Sequence, residues 1–174
     1  MPIGLFGLGS VLMGDDAAGP FFISHFEARY ELPEEVTVLD AGAPGMELMH
    51  HIRGHESIIV VDTVKADGPP GEVRLYRKDE VLKGAEGLRL SPHDPTLRQA
   101  LLTIDFAGDG PSQVLLVGVI PDEVKLRTEM SDAVKAAMPE VEAAVLEELR
   151  RLGVEATKRD DPGAPDIWWE VYPT

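Results

Sequence analysis

Residues 57–62 read SIIVVD and form the most clearly strand-like stretch of the chain. Four β-branched side chains in succession are typical of a buried strand of an α/β protein. The run ends abruptly at Asp62. An ionised carboxylate next to a buried strand is costly unless it has a partner, for which a cation is well suited. The stretch therefore predicts a buried strand with a polar, ligand-competent position at its carboxyl end.

Four further stretches complete a set of five predicted strands. Residues 3–8 and 113–120 are short and apolar, and residues 36–40 are rich in β-branched side chains. Residues 72–76 alternate polar and apolar side chains after a Gly/Pro turn, which is typical of an edge or antiparallel strand. Together with 57–62, these stretches supply the strands of one sheet.

Apolar residues at helical spacing separate the strands. Predicted helices cover residues 17–31, about 46–52, a segment that begins at Asp94–Pro95, and about 132–152. Pro139 lies inside the last helix and predicts either a kink or a later start. The alternation of strands and helices predicts an α/β fold: one domain, three layers (α/β/α), and a twisted, mostly parallel five-stranded sheet.

The composition changes after residue 153. We expect an α/β domain over residues 1–153 and an acidic, Pro-containing tail over 154–174. Trp168 and Trp169 lie in this tail, and two adjacent tryptophans predict that it docks on a surface. Docking on its own domain is the simpler expectation.

Composition and charge exclude several classes of protein. The 174 residues include no cysteine, so disulfides, zinc–thiolate sites and cysteine nucleophiles are excluded. The formal net charge of −15 disfavours nucleic-acid binding. No window is apolar enough to span a membrane, and the first residues read as a buried strand, not as a signal peptide. A soluble cytoplasmic protein with no nucleic-acid or membrane partner is expected.

Polar residues cluster where the predicted strands end. Asp15 and Asp16 follow the first strand, Asp40 ends the second, and Asp62 ends the third. His93 lies in a loop ahead of a helix and is free to point at the same edge. Since ligands bind at the carboxyl ends of parallel strands, these side chains are candidates for one site.

Each candidate also has a structural explanation. Asp15 or Asp16 can cap the helix that follows, which leaves the other free. Asp40 and Asp62 can be solvated strand ends. His93 is held between Pro92 and the Asp94–Pro95 helix start, so a rigid loop could aim its imidazole as a ligand.

Two carboxylates and one imidazole suit a divalent transition metal, and the residues themselves leave nickel, zinc and manganese open. The Gly7–Leu8–Gly9 turn does not complete a dinucleotide motif, because Leu12 stands where the third glycine would be. The chain also contains no P-loop, no HExxH and no GxSxG motif.

Several short motifs occur in a specific order: GLGSVLMGDDAAG (7–19), LDAG (39–42), GMEL (45–48), VD (61–62), SPH (91–93) and LVGVIP (116–121). With these motifs the chain resembles, over about residues 3–153, the hydrogenase maturation endopeptidases (peptidase family M52), which process the large subunits of [NiFe] hydrogenases. Ser10 stands where this family usually has Asn, and its hydroxyl can still hydrogen-bond the turn.

The resemblance implies a phosphorylase/hydrolase-like fold and a defined reaction. The enzyme would remove a short C-terminal peptide from the nickel-loaded precursor of a [NiFe] hydrogenase large subunit, with nickel as the recognition element. In this chain, the metal-binding residues of the family correspond to Asp16, Asp62 and His93, together called the metal grip. The nickel would arrive with the substrate and polarise the scissile carbonyl. Asp16 or Asp40 would serve as the general base.

Two other functions fit the same residues. One is a non-catalytic nickel-binding or chaperone module on the same fold. The other is a metal-dependent hydrolase that acts on a small molecule.

Overall fold

The computed structural model describes residues 1–84 and 96–171. The sheet strands are β1 (Ile3–Leu8), β3 (Val36–Gly42), β4 (Ser57–Thr63), β5 (Val73–Arg77) and β6 (Gln113–Val119), and a separate pair consists of β2 (Tyr30–Glu31) and β7 (Thr157–Lys158). The five strands of the sheet lie in the order β3-β1-β4-β6-β5. The first four in this order are parallel, and β5 is an antiparallel edge strand.

Helices cover both faces of the sheet. The first and last of the five α-helices in the described residues pack against one face, and the other three pack against the opposite face. The α-helices are α1 (Ala18–Arg29), α2 (Leu48–Ile52), α3 (Lys78–Lys83), α4 (Thr96–Phe106) and α5 (Asp132–Arg151). Single turns of 3-10 helix cover Gly14–Ala17, Gly45–Glu47 and Trp168–Val171. The three-layer architecture predicted from the sequence is confirmed.

The apolar strands are central because both of their faces are covered. Every residue of β1 is buried, and so is every residue of β4 except the last. Side chains alternate between the two cores, since Val61 belongs to the core under α1 and α5, whereas Val60 belongs to the core under α2 and α4. The stretch 57–62 therefore forms the middle strand of the sheet.

The last predicted helix is continuous, and the predicted start of the helix before it lies outside the described residues. The final helix runs without a break from its cap at Ser131, so a start near Pro139 is wrong. Ser131 Oγ accepts a hydrogen bond from the N–H of Val134 at 3.4 Å, which satisfies a donor of the first turn. The predicted start at Asp94–Pro95 lies outside the described residues, and α4 is described from Thr96 onward.

The described part of the tail packs along α1. β7 pairs antiparallel with β2, the hydroxyl of Ser24 donates to the carbonyl of Asp166 at 2.9 Å, and the N–H of Gly163 donates to the carbonyl of Ala28 at 3.1 Å. Trp169 is 1% exposed. The segment thus docks on its own domain, whereas the domain boundary at residue 153 stays a prediction.

The strand order creates a crevice at one edge of the sheet. The chain leaves β1 through α1 on one face, and it leaves β4 toward α3 and α4 on the other face. β1 and β4 are direct neighbours. The carboxyl ends of these two strands therefore form the switch point at which open α/β sheets bind ligands.

Candidate active site

Asp62 lies at this switch point, one residue before the end of β4. Its side chain is only 7% exposed, and its Oδ1 accepts a hydrogen bond from the N–H of Thr63 at 2.8 Å. In register, Asp62 pairs with Gly118 of β6. A carboxylate is thus held at the carboxyl end of the middle strand, as the sequence predicted.

Asp16 reaches the same edge from the 3-10 turn after β1. Its Oδ2 accepts a hydrogen bond from the N–H of Ser10 at 2.8 Å. Its Oδ1 accepts one from the hydroxyl of Thr63 at 3.1 Å. Thr63 therefore contacts both carboxylates and joins the loop after β1 to the end of β4.

Asp15 has a different task from its neighbour. Its carboxylate is 1% exposed. Oδ1 accepts from the N–H of Ser131 at 2.6 Å, and Oδ2 accepts from the hydroxyl of Ser131 at 2.8 Å. The N–H groups of Asp122 and Glu123 also donate to Oδ2, at 2.8 and 3.0 Å. Asp15 thus ties the loop after β6 to the loop after β1.

The expectation that Asp15 or Asp16 caps its own helix is wrong. Neither the 3-10 turn nor α1 has a side-chain cap, because both carboxylates are used by other segments. The expectation that one of the two is free is also wrong, since Asp16 is bound on both oxygens. The Ser10 hydroxyl does make its turn contact, accepting from the N–H of Leu12 at 3.4 Å.

Glycines allow the Asp16 loop to fold onto the sheet. Gly9 has φ of +133°, and a Cβ there would lie 1.8 Å from the carbonyl oxygen of Asp16. At the start of α1, a Cβ on Gly19 would lie 2.3 Å from the carbonyl oxygen of Leu8. The Gly-rich motif therefore serves close packing of α1 on β1, in keeping with the rejection of a dinucleotide site.

Asp40 points to the other side of the sheet from Asp62. In register, Asp40 pairs with Gly7, and Gly7 pairs with Val61, so Asp40 shares a row with Val61 and not with Asp62. It lines a cavity of about 360 Å³ beside Glu27, Trp168 and other residues of α1 and the tail. The structure thus places Asp40 and Asp62 on opposite faces of the sheet.

Burial raises the pKa of two carboxyl groups that line this cavity. Desolvation raises the pKa of Asp40, and the hydrogen bond from the N–H of Gly42 partly opposes that rise. Desolvation also raises the pKa of Glu27, and the negative charge of Asp40 adds to the effect, whereas Arg159 lowers it. Asp40 is therefore easier to protonate than an ordinary aspartate.

His93 lies outside the described residues, so its place in the site stays a prediction. Within residues 1–84 and 96–171, no three His, Asp or Glu side chains come together as a metal site. His25 packs on Phe21 of α1, with ring centroids 4.2 Å apart, and desolvation followed by the charge of Arg29 lowers its pKa. This is the packed role expected of a histidine on a helix face.

The model of a protein family described as hydrogenase maturation protease matches residues 21–148. The chain belongs to the hydrogenase maturation protease family. The match takes in the positions of Asp40, Asp62 and His93, whereas Asp16 precedes it.

Individual members of the family are similar over most of the chain. The hydrogenase 2 maturation protease of Escherichia coli is 34% identical over 161 residues, which are 92% of this chain and 98% of that protein. The hydrogenase expression/formation protein HoxM of Azotobacter vinelandii is 30% identical over 90% of this chain and 76% of its own length. The similarity thus includes the segment that carries Asp16.

Solved structures of the family have the same fold. The hydrogenase maturating endopeptidase HybD from Escherichia coli superimposes with a TM-score of 0.85 at 33% identity, covering 92% of this chain and 99% of that one. A [NiFe] hydrogenase maturation protease from Thermococcus kodakarensis gives a TM-score of 0.67 at 27% identity, covering 86% and 99%. The predicted fold, family and enzyme class are therefore confirmed: this member of the hydrogenase maturation proteases is an endopeptidase that hydrolyses peptide bonds. No helix in the described part of the chain is long and apolar enough to cross a membrane.

Proposed function

We propose that this protease removes a short C-terminal peptide from the nickel-loaded precursor of a [NiFe] hydrogenase large subunit, in the cytoplasm. Nickel is the recognition element and arrives with the substrate. Asp16, Asp62 and His93 grip it, so only a precursor that carries its metal is cut. The observation that supports this proposal is the pair of carboxylates joined by Thr63 at the switch point.

The hydrogen bonds of Asp16 suit a cation. Both of its donors, the Ser10 N–H and the Thr63 hydroxyl, are neutral groups. Within the described residues, no Lys, Arg or His forms an ion pair with Asp16. Each carboxylate oxygen keeps a lone pair beyond the bond shown. The negative charge is therefore fixed in place and still available to a metal ion.

A nickel ion held between enzyme and substrate would polarise the scissile carbonyl and position it for attack by water. The chain's own contribution is orientation and proton transfer. Asp62 is almost fully buried, which strengthens its interaction with a positive charge. A general base must lie within hydrogen-bond reach of the attacking water.

Asp16 is better placed than Asp40 to be that base. Asp16 lies on the edge that Asp62 shares through Thr63, whereas Asp40 faces the cavity under α1 and the tail. We therefore assign proton acceptance to Asp16. The alternative, Asp40, makes a different prediction, because Asp40→Asn would then stop cleavage.

Variants of the grip test the proposal. Wild-type protein is mixed with nickel-loaded precursor, and the shortened product is followed by intact-mass spectrometry. We expect Asp16→Asn, Asp62→Ala and His93→Ala to abolish cleavage with the circular dichroism spectrum unchanged. His25→Ala is the matched control and should cleave, since His25 packs within α1.

The same assay separates the other functions. A wild-type protein that shortens no hydrogenase precursor would contradict the proposal and favour a nickel-binding module or a small-molecule hydrolase. Unfolding of His93→Ala would assign His93 a structural role. Loss of cleavage in Asp40→Asn would move the general base to the cavity under α1.

A further inference from the structure

Thr63 lies between the two carboxylates of the proposed grip. Its backbone N–H donates to Asp62 Oδ1 at 2.8 Å, and its hydroxyl donates to Asp16 Oδ1 at 3.1 Å. We infer that Thr63 is a positioning residue, whose hydroxyl sets the orientation of the Asp16 carboxylate relative to Asp62 for the metal ion of the substrate. This inference rests on the proposed function of the two carboxylates.

The donor is fixed because the backbone of Thr63 is fixed. Thr63 is the last residue of β4 and pairs with Val119 of β6. The next N–H, that of Val64, donates to the carbonyl of Val119 at 3.0 Å. Thr63 is β-branched, so its χ1 is restricted. The hydroxyl is therefore presented from a rigid strand end and not from a mobile loop.

The acceptor needs such a fixed donor. Asp16 lies in a short 3-10 turn that has no side-chain cap of its own. The Ser10 N–H holds Oδ2, and a single contact would leave the carboxylate plane free to rotate. The second contact, from Thr63 to Oδ1, fixes that plane. Groups that orient a metal ligand typically change metal affinity or activity by 10–100-fold when they are removed.

The choice of a hydroxyl also preserves the charge of the site. A Lys or Arg at residue 63 would orient Asp16 equally well but would neutralise it and repel a metal cation. A hydroxyl is uncharged and satisfies one lone pair only. Thr63 thus orients the carboxylate without competing for the positive partner.

Two variants of Thr63 test this role. Thr63→Val keeps the branched shape and removes the hydroxyl, and Thr63→Ser keeps the hydroxyl. With nickel-loaded precursor, we expect Thr63→Val to lower kcat/KM about 10–100-fold, because both the binding of the substrate's metal and its orientation are weakened. Thr63→Ser should recover cleavage to within about threefold of wild type, because the missing methyl only loosens χ1. Thermal unfolding should shift by less than about 4 °C in both variants.

A second measurement makes the test independent of cleavage. Ni²⁺ alone is titrated into the free enzyme by isothermal calorimetry, and we expect Thr63→Val to bind it about tenfold more weakly than wild type, with Thr63→Ser close to wild type. If wild type cleaves no precursor while this affinity pattern is found, the proposed function fails and the role of Thr63 stands. A wild-type kcat/KM in Thr63→Val, or equal losses in Thr63→Val and Thr63→Ser, would overturn the role of the hydroxyl.

Discussion

Ser131 binds Asp15 twice, through its backbone N–H 2.6 Å from Oδ1 and through its hydroxyl 2.8 Å from Oδ2. Ser131 is also the N-cap of α5. The buried carboxylate thereby fixes the start of α5 against the loop after β1. The two adjacent aspartates therefore have different roles: Asp15 stabilises the fold, and Asp16 lies in the candidate site.

Asp15→Ala should destabilise the protein. It leaves the N–H groups of Ser131, Asp122 and Glu123 without their buried acceptor. We expect the free energy of unfolding to fall by about 3 kcal/mol, measured by urea denaturation. Asp132→Ala is the control, because Asp132 is exposed at the first turn of α5, and should cost less than about 1 kcal/mol. Equal losses in the two variants would contradict the anchoring role of Asp15.

In contrast to Asp15→Ala, Asp16→Asn should impair cleavage and leave stability almost unchanged. It keeps the shape of the side chain but removes the charge that a metal ion needs. We expect cleavage of nickel-loaded precursor to fall by more than the 10–100-fold typical of outer-shell partners, with the free energy of unfolding changed by less than about 1 kcal/mol. Single-turnover rates measure the change in cleavage, and urea denaturation measures the change in the free energy of unfolding. Substantial cleavage by Asp16→Asn would remove Asp16 from the grip.

Glu148 should make stability depend on pH in the acid range. Burial would raise its pKa, but hydrogen bonds and charges of Arg151 and Arg77 outweigh burial and lower the pKa to about 2. A carboxyl whose folded pKa lies below its unfolded value stabilises the protein above the unfolded pKa. This stability is lost as pH falls from about 5 to about 2.

Glu148→Gln isolates this contribution. At pH 7, we expect the variant to be less stable than wild type by about 3 kcal/mol, and the difference should shrink toward pH 2. Urea denaturation at several pH values gives the curve. Glu147→Gln is the matched control, since Glu147 pairs with Arg150 in solvent and should change stability by less than about 1 kcal/mol. A constant difference between Glu148→Gln and wild type from pH 7 to pH 2 would contradict the lowered pKa.

The two tryptophans of the tail should differ in their effect on stability. Trp169 is 1% exposed and Trp168 is 53% exposed. We expect Trp169→Ala to cost about 3–5 kcal/mol and Trp168→Ala to cost less than about 1 kcal/mol, both by urea denaturation. If Trp169→Ala were neutral, the tail would not be part of the folded core.

The sheet was predictable because its central strands are apolar throughout. A continuous apolar run predicts a buried strand from local sequence alone. The alternation of polar and apolar side chains in 72–76 likewise predicted an edge or antiparallel strand from local sequence. The short helix α3 was missed, since its sequence KDEVLK buries only Val81 and has no apolar periodicity. Pro139 suggested a kink or a later start for the last helix, but α5 is continuous through this residue.

The site was predictable only in part. Strand ends indicated that Asp16 and Asp62 lie at one edge of the sheet, but the contacts of Asp15 and Thr63 join residues 116 and 47 positions apart in the sequence. Asp40 shares the strand-end pattern of Asp62, and only the register shows that it belongs to the row of Val61. Local sequence contains no information on register, so it could not separate these two carboxylates.

We expect nickel on the substrate to be required for cleavage at the edge of the sheet that carries Asp16 and Asp62. The most direct measurement mixes wild-type enzyme with nickel-loaded and nickel-free large-subunit precursor from the same cell, and it resolves the shortened product on a gel. We predict that only the nickel-loaded precursor is shortened. Equal shortening of both precursors would contradict the recognition of nickel, and shortening of neither would contradict the protease assignment for this substrate.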